Sequence, residues 1–588
     1  MPAIAEINPK DWTIEYFLSN ESECEKILEN IDTLLEIPSL NNVSLDNFKN
    51  GQLVRFQGMI QDMRNPEFFF KKYKITNKKT GENTTKNGMY SDEAKCEMNE
   101  NILFDDESNE NAERQTWIVV SIPGLNDWAK DKPTYSSSQV IDEPMAISES
   151  IKRPLEEAFE SMDCSESVKK KEKKHENTEG AGPSHSTEIG IKNATAKLVS
   201  KDHLLNMPIP SKDGKACIVK VYNDPSYKLN QVIHIVGFLS LDPDLSSVND
   251  NEGMLDVERQ TLHPPATIVP RLHAIKIVDE INKFIINPVH ILPKAEKIRG
   301  DLKILLSPLL FGDEVAADYL ICHLISSVYV RKECMCLGTY PINISHFPEK
   351  FMNFKQDFYD ILKEILIKSH LFEITLESLN DTSLIPKKDY DCNRLTSGLL
   401  QLSKNTHLIL DETNLTTGEI TATGRQNYNA INEIMQFQRL AYDFKFYNME
   451  YDTDIPILIL SDVKSFIPCH IQIKLQPDPD TVKCYPQVLE AAKQYLKDEN
   501  KLSDIRQYVN SLKNVQFEFS EDTVKLIQED FVEMRQANKN ISANDLNWLM
   551  VLSRLMSISH GHNALKPELW KRSKQMEKER LSRLSKHP

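Results

Sequence analysis

Residues 407–413 read HLILDET, a short apolar run closed by two adjacent acids, Asp411 and Glu412. A run of this kind with charged flanks suits a strand buried on both faces, the type found inside parallel sheets. Its surroundings agree. From about Asn287 helical and strand patterns alternate, through GDEVAADYLICHLISSVYVR, GTYPINIS, a helix expected over 350–368, and PILILS. Such alternation predicts an open, mostly parallel sheet covered by helices. In the first of these segments Asp313 suits a helix N-cap, and Val315, Tyr319, Leu320, His323, Leu324 and Ser327 share one helical face. His323 is expected to be a satisfied core histidine. The last hundred residues are helical in pattern.

The same strand raises the question of chemistry. An apolar strand ending in Asp-Glu has the form of a Walker B element, in which the first acid helps hold Mg²⁺ and the second polarises the attacking water. About fifty residues later DIPILILSDV ends at Ser461, where ATPases of the AAA+ type carry a polar sensor residue. Upstream, LGTYPINISHFP occupies the place of the first core strand and its loop. That loop has no G-x-x-x-x-G-K-[ST] pattern, Pro348 removes a backbone donor, and no GK[ST] occurs anywhere in the chain. Without a phosphate cradle the acids alone should not support hydrolysis. Asp411, Glu412 and Ser461 are therefore expected to be remnants of a nucleotide site, with no catalytic residue, cofactor or metal.

The first half reads differently. GQLVRFQGMIQDM alternates apolar and polar residues as a half-buried strand does, NPEFFFKKYKI suits a second strand after an Asn-Pro turn, and RQTWIVVSIPG another. A helix is expected near residues 20–35, and a polar loop over about 77–112. KACIVKVY and QVIHIVGFLSLDP resume the strands, with Gly237 placed for a bulge or bend. Short strands with glycine kinks suggest a small barrel, either an oligonucleotide/oligosaccharide-binding (OB) fold or an unrelated sandwich. From about 131 to 193 the chain is rich in Ser, Glu, Lys and Pro and poor in large apolar residues, so it is expected to be a disordered linker. Within it Lys169, Lys170, Lys171, Lys173 and Lys174 form the run KKKEKK, a solvated charge run or a nuclear import signal.

Charge and composition narrow the partners. A net charge of −17 opposes broad binding to nucleic acid or anionic membrane. No apolar run reaches the length of a spanning helix, and ten scattered cysteines resemble reduced thiols rather than a disulfide framework. Phe68, Phe69, Phe70, Lys71, Lys72 and Tyr73 interleave aromatic and basic residues and could stack single-stranded bases, although such a run more often forms a strand with one buried face.

The C-terminal stretch ISANDLNWLMVLSRLMSISHG, with Ser542 and Asp545 as a capping-box variant, resembles the final lid helix of minichromosome maintenance helicase subunits, but lacks the Arg found near the start of that helix. Taken with GQLVRFQGMIQDM-NPEFF, ERQTWIVVSIPG, GFLSLDP, GDEVAADYLICHLIS and HLILDET in this order, the chain resembles the minichromosome maintenance complex-binding protein family over roughly residues 10–125 and 200–575. The resemblance implies a nuclear, non-enzymatic factor that binds helicase subunits and governs their assembly, disassembly or supply in DNA replication and sister-chromatid cohesion. A cytoplasmic pool and chromatin association are further expectations; a membrane partner and strong direct nucleic-acid binding are not. The expected organisation is a helical and β segment (1–75), a β segment with an acidic loop (76–130), the linker (131–195), an OB-like β part (196–285), a degenerate AAA+-like α/β domain (286–485) and a helical lid with its tail (486–588). A single-strand nucleic-acid binder and an unconventional ATPase are the alternatives.

Overall fold

The computed structural model describes residues 8–130, 199–223, 226–243, 256–332, 335–348 and 354–585. The linker and the Lys169–Lys174 run lie outside the described residues. The fold is mixed α/β, with several sheets and many helices.

The N-terminal half is organised by one long strand, β1 (Leu53–Asn77), followed by β2 (Asn83–Asn87), β3 (Glu100–Ile102), β4 (Glu110–Val120), β5 (Ala216–Val221), β6 (Val232–Ser240) and β7 (Arg271–Asp279). The pairings β1–β4, β4–β5, β5–β7, β7–β6 and β6–β1 form a closed circuit, antiparallel except for β5–β7. Alternate residues line its interior, among them Val54, Phe56, Trp117, Val219, Ile235 and Leu272. Two glycines make the closure possible. A Cβ on Gly58 would lie 2.5 Å from the Val120 carbonyl oxygen, and one on Gly237 would lie 2.3 Å from that of His273. The β6–β7 register shifts between Val236 and Gly237, the bulge expected there.

Several expectations are corrected. NPEFFF does not begin a second strand after a turn; it continues β1 across register shifts between Ile60 and Asp62 and between Arg64 and Glu67. The segment read as a polar loop carries β2 and β3, which pair with the far end of β1. Their exposed, polar residues hide the strand signal. The single early helix is three short ones, Ile14–Ser19, Glu21–Ile27 and Ile31–Glu36, which place Trp12, Phe17, Leu28 and Leu34 against Leu53, Val236 and Phe238 outside the ring.

In the C-terminal half, β8 (Val330–Lys332) and β9 (Met335–Leu337) form a hairpin. β10 (Ile342–Ser345), β11 (Ser369–Glu373), β14 (His407–Asp411), β17 (Ile457–Ser461) and β18 (Ile471–Lys474) make an all-parallel sheet ordered β11-β14-β17-β10-β18. Two hairpins, β12 (Lys387–Asp389) with β13 (Arg394–Thr396) and β15 (Arg439–Asp443) with β16 (Asn448–Asp452), join in a separate four-stranded sheet. Both faces of the parallel sheet are covered. Ile409, Leu458 and Ile473 face helices Ala295–Leu309, Glu314–Leu324 and Ala543–Ser559, whereas Leu408, Leu410 and Ile459 share a core with Ile431 and Ile434 of helix Ala422–Phe437. Asp313 caps Glu314–Leu324 through the Val315 and Ala316 amides. That helix stops at Leu324, short of the expected end at Arg331. His323 is buried in the core with its Nδ1 2.8 Å from the Tyr340 carbonyl oxygen, as expected.

The ring and the C-terminal half meet through buried polar groups. The bulge that frees Gln61 from the β1–β4 ladder lets its Nε2 donate to the Leu395 carbonyl at 2.8 Å, while the Leu395 amide donates to Asp62 Oδ2 at 2.8 Å. Beyond β4, Asn126 Nδ2 donates to Leu366 O at 2.7 Å, and Trp128 Nε1 to Lys363 O at 2.6 Å. A buried amide left without its acceptor costs about 1–3 kcal/mol. Asp62→Ala is therefore expected to lower stability by about that amount, read as an earlier midpoint in urea unfolding; an unchanged midpoint would contradict the role given to this contact.

Candidate functional site

The acidic strand end lies at the C-terminal edge of the parallel sheet, where open α/β sheets place their ligands. Asp411 and Glu412 are both buried, 4% and 7% exposed. A buried carboxylate needs a counter-charge or several donors, and the fold supplies each acid with a different solution.

Asp411 is held by a cation. Lys355, one residue into helix Phe354–Ile365 after β10, brings Nζ to 2.8 Å from Asp411 Oδ2. The other oxygen accepts from the Thr413 amide at 3.0 Å and its hydroxyl at 2.8 Å, and Lys355 also donates to Thr413 Oγ1. A lysine at the start of the following helix thus faces the acid.

Glu412 is held by a loop. Its carboxylate accepts from Ser465 Oγ at 3.1 Å, the Phe466 amide at 2.8 Å and the Ile467 amide at 3.1 Å. Burial raises its pKa above the ordinary 4.5, against the opposing pull of those three donors. Ser461, at the end of β17, is also engaged internally: it accepts from Asn343 Nδ2 at 2.8 Å and donates to the Val463 carbonyl at 3.0 Å. The structure therefore brings Asp411, Glu412 and Ser461 to one end of adjacent strands, each turned toward partners within the chain.

The loop after β10 is occupied as well. His346 takes a left-handed conformation (φ +67°), and its amide donates to the Asp462 carbonyl at 3.0 Å. Phe347 packs on Phe354 with ring centroids 4.7 Å apart, and Phe354 on Phe311 at 5.1 Å. Among the described residues no group of His, Cys, Asp and Glu is arranged to hold a metal ion, and no helix is long and apolar enough to cross a membrane.

The loop that holds Glu412 also forms one wall of a cleft of about 700 Å³. Met335, Phe437, Phe466, His470, Asn547 and Trp548 contribute to its lining. The capping box at Ser542 and Asp545 starts the helix that carries Trp548, and His470 stacks on that indole at 5.5 Å.

At the opposite end of the strand His407 receives a hydrogen bond at Nε2 from Lys513 Nζ, 2.9 Å away. Both are buried, and burial lowers the Lys513 pKa to about 7 and that of His407 well below 6.5. Lys513 gave no sequence signal, because its partner is 106 residues away. Lys355 had one, a cation at the first turn of the helix after the first core strand. The aromatic–basic run is dispersed: Phe68 is 78% exposed, Tyr73 is buried, Phe69 lies under the Arg114 guanidinium at 5.2 Å, and Lys72 pairs with Glu110.

Comparison with known proteins places this architecture. The model of the mini-chromosome maintenance replisome factor family matches residues 24–584. A Drosophila melanogaster protein called mini-chromosome maintenance complex-binding protein is 35% identical, the alignment covering 94% of this chain and 93% of the relative. Proteins of the same name from Mus musculus and Homo sapiens are 34% and 33% identical, over 98% of this chain and 95% of theirs. A mixed α/β protein with this near-complete match belongs to the mini-chromosome maintenance replisome factor family.

Two titrations follow. Glu412 holds its proton more firmly in the fold than in the unfolded chain, so its contribution to stability falls as pH rises from about 4.5 through its higher folded value. In Glu412→Ala that part of the pH slope of the urea midpoint should vanish, and loss of the three hydrogen bonds should cost about 1–3 kcal/mol at neutral pH. Lys513 behaves oppositely. The unfolded chain binds its proton between pH 7 and the ordinary 10.5 while the fold does not, so stability rises with pH across that window. Lys513→Met should flatten this rise; an unaltered slope would show that Lys513 is not the titrating group.

Proposed function

We propose that this chain is a non-enzymatic binding factor for subunits of the mini-chromosome maintenance helicase, acting on their assembly, disassembly or supply. The observation that carries this reading is the internally closed acidic site in a chain matched almost end to end by relatives named as complex-binding proteins. Asp411 faces Lys355 in place of a metal-bound phosphate, and Glu412 is spent on the Ser465–Ile467 loop.

The two halves are read as an OB-like ring and an AAA+-like module. The first is supported by the five-strand circuit β1-β4-β5-β7-β6, a small closed β unit. The second is supported by the parallel order β11-β14-β17-β10-β18, with Asp411 and Ser461 ending adjacent strands, and by the helices that follow β18 as a lid. Ring ATPases assemble by head-to-tail contacts, and a subunit look-alike with a closed site can take one such position without hydrolysis. Action in the nucleus, through Lys169–Lys174 as an import signal, and roles in replication and sister-chromatid cohesion belong to this proposal and rest on the family resemblance.

Affinity-tagged full chain should recover helicase subunits from nuclear and cytoplasmic extracts. Failure to recover any of them from cells with abundant free subunits would overturn the proposal. Mg²⁺-dependent ATP binding at micromolar affinity, lost in Asp411→Ala, would instead favour an unconventional ATPase.

A further inference from the structure

Three cations and a histidine, whose pKa burial lowers, cross the outer face of the ring. Arg114 on β4, Lys220 on β5 and Arg271 and His273 on β7 project away from the interior, and all four are buried. The segment 88–99, which connects β2 to β3, folds back over Arg114, Arg271 and His273.

Two residues pin this strap. Tyr90 sits in the left-handed region (φ +59°), a conformation that costs a non-glycine residue about 1 kcal/mol. Its ring is held between Phe17 at 5.5 Å and Tyr222 at 4.9 Å. Two residues on, the Asp92 carboxylate enters this group. Oδ1 lies 2.9 Å from Arg271 Nε and 3.2 Å from His273 Nε2, and Oδ2 accepts from Ser240 Oγ. Arg114 meanwhile donates to the backbone carbonyls of Ser91 at 2.6 Å and Asp92 at 2.8 Å.

Without the strap Arg271 loses the carboxylate paired with it. Glu67 serves Arg114 and Lys220, whereas the carboxylate paired with Arg271 is that of Asp92. A buried cation left without its anion is strongly unfavourable, so the face needs an acidic occupant. The present occupant also defines the chemistry recognised: one carboxylate between Arg271, His273 and Ser240, plus two successive main-chain carbonyls on Arg114. That is the signature of an acidic peptide, since a phosphodiester chain offers no such carbonyl pair.

We propose that the Arg114–Arg271 face is a docking socket for an extended acidic segment of a partner protein, which Ser91 and Asp92 occupy in cis until a competing segment displaces them. From Glu93 to Asn99 the strap is largely exposed, with Met98 96% accessible, so this side is the one suited to lifting while Gly88 and Tyr90 stay anchored in the core. The socket stands independently of whether the partner is a helicase subunit.

The test uses the full chain and a fluorescein-labelled peptide with the strap's own sequence, GMYSDEAK. Asp92→Asn keeps the strap's shape and removes its charge. It should bind the peptide at least about tenfold more tightly than the unaltered chain, a difference of about 1.4 kcal/mol. Adding Arg271→Ala should abolish the gain, and a peptide carrying Asn in place of its Asp should not bind. Equal affinity of Asp92→Asn and the unaltered chain, or binding that survives Arg271→Ala, would overturn the proposal. So would a single-stranded oligonucleotide that displaces the peptide at equal concentration, which would point to nucleic acid. If Asp92→Asn loses cooperative melting, hydrogen exchange of the unaltered chain decides. Excess peptide should accelerate exchange over 88–95, and no change there would equally overturn it.

Discussion

Two adjacent carboxylates are buried at the end of β14, and much of the surrounding architecture is arranged to neutralise them. Unpaired, each would carry a desolvation cost of several kcal/mol. Lys355 answers the first, which fixes the start of helix Phe354–Ile365 against the strand end. The amides of Phe466 and Ile467 answer the second, which fixes the path of the chain from β17 toward β18 and with it one wall of the cleft beside Trp548. The strand end thereby ties a helix start and a loop to the sheet.

The same rule governs the join between the two halves. Main-chain groups of Leu395, Leu366 and Lys363 find partners on side chains of the N-terminal half: Gln61, Asp62 and Asn206 for Leu395, Asn126 for Leu366 and Trp128 for Lys363. The β-bulge at Gln61 is the device that makes this possible, because a regular ladder would have committed that residue to β4. The N-terminal half thus completes hydrogen bonding that the C-terminal half cannot complete alone.

Some of this was legible in the sequence. The apolar strands HLIL and ILIL, the Asp313 and Ser542 caps, the buried His323 and the Gly237 bulge were all readable, because each rests on local pattern or on the steric need of one residue. The continuation of β1 through Asn65 and Pro66 was not readable, since an Asn-Pro pair signals a turn unless neighbouring strands override it. β2 and β3 escaped notice for a related reason: they are polar and exposed, and pairing alone makes them strands.

The sequence by itself determined that this chain alternates strands and helices in its second half, ends a buried strand in Asp-Glu, and lacks a phosphate-gripping loop. Those properties depend on residue type and spacing over a few positions. Only the tertiary structure decided what the acids do. Lys355 and the Ser465–Ile467 loop lie about fifty residues away on either side of Asp411 and Glu412, Ser240 lies 148 residues from Asp92, and burial makes such partners necessary. HLILDET sets two acids side by side; Lys355 and the Ser465–Ile467 loop are the partners the fold brings to them.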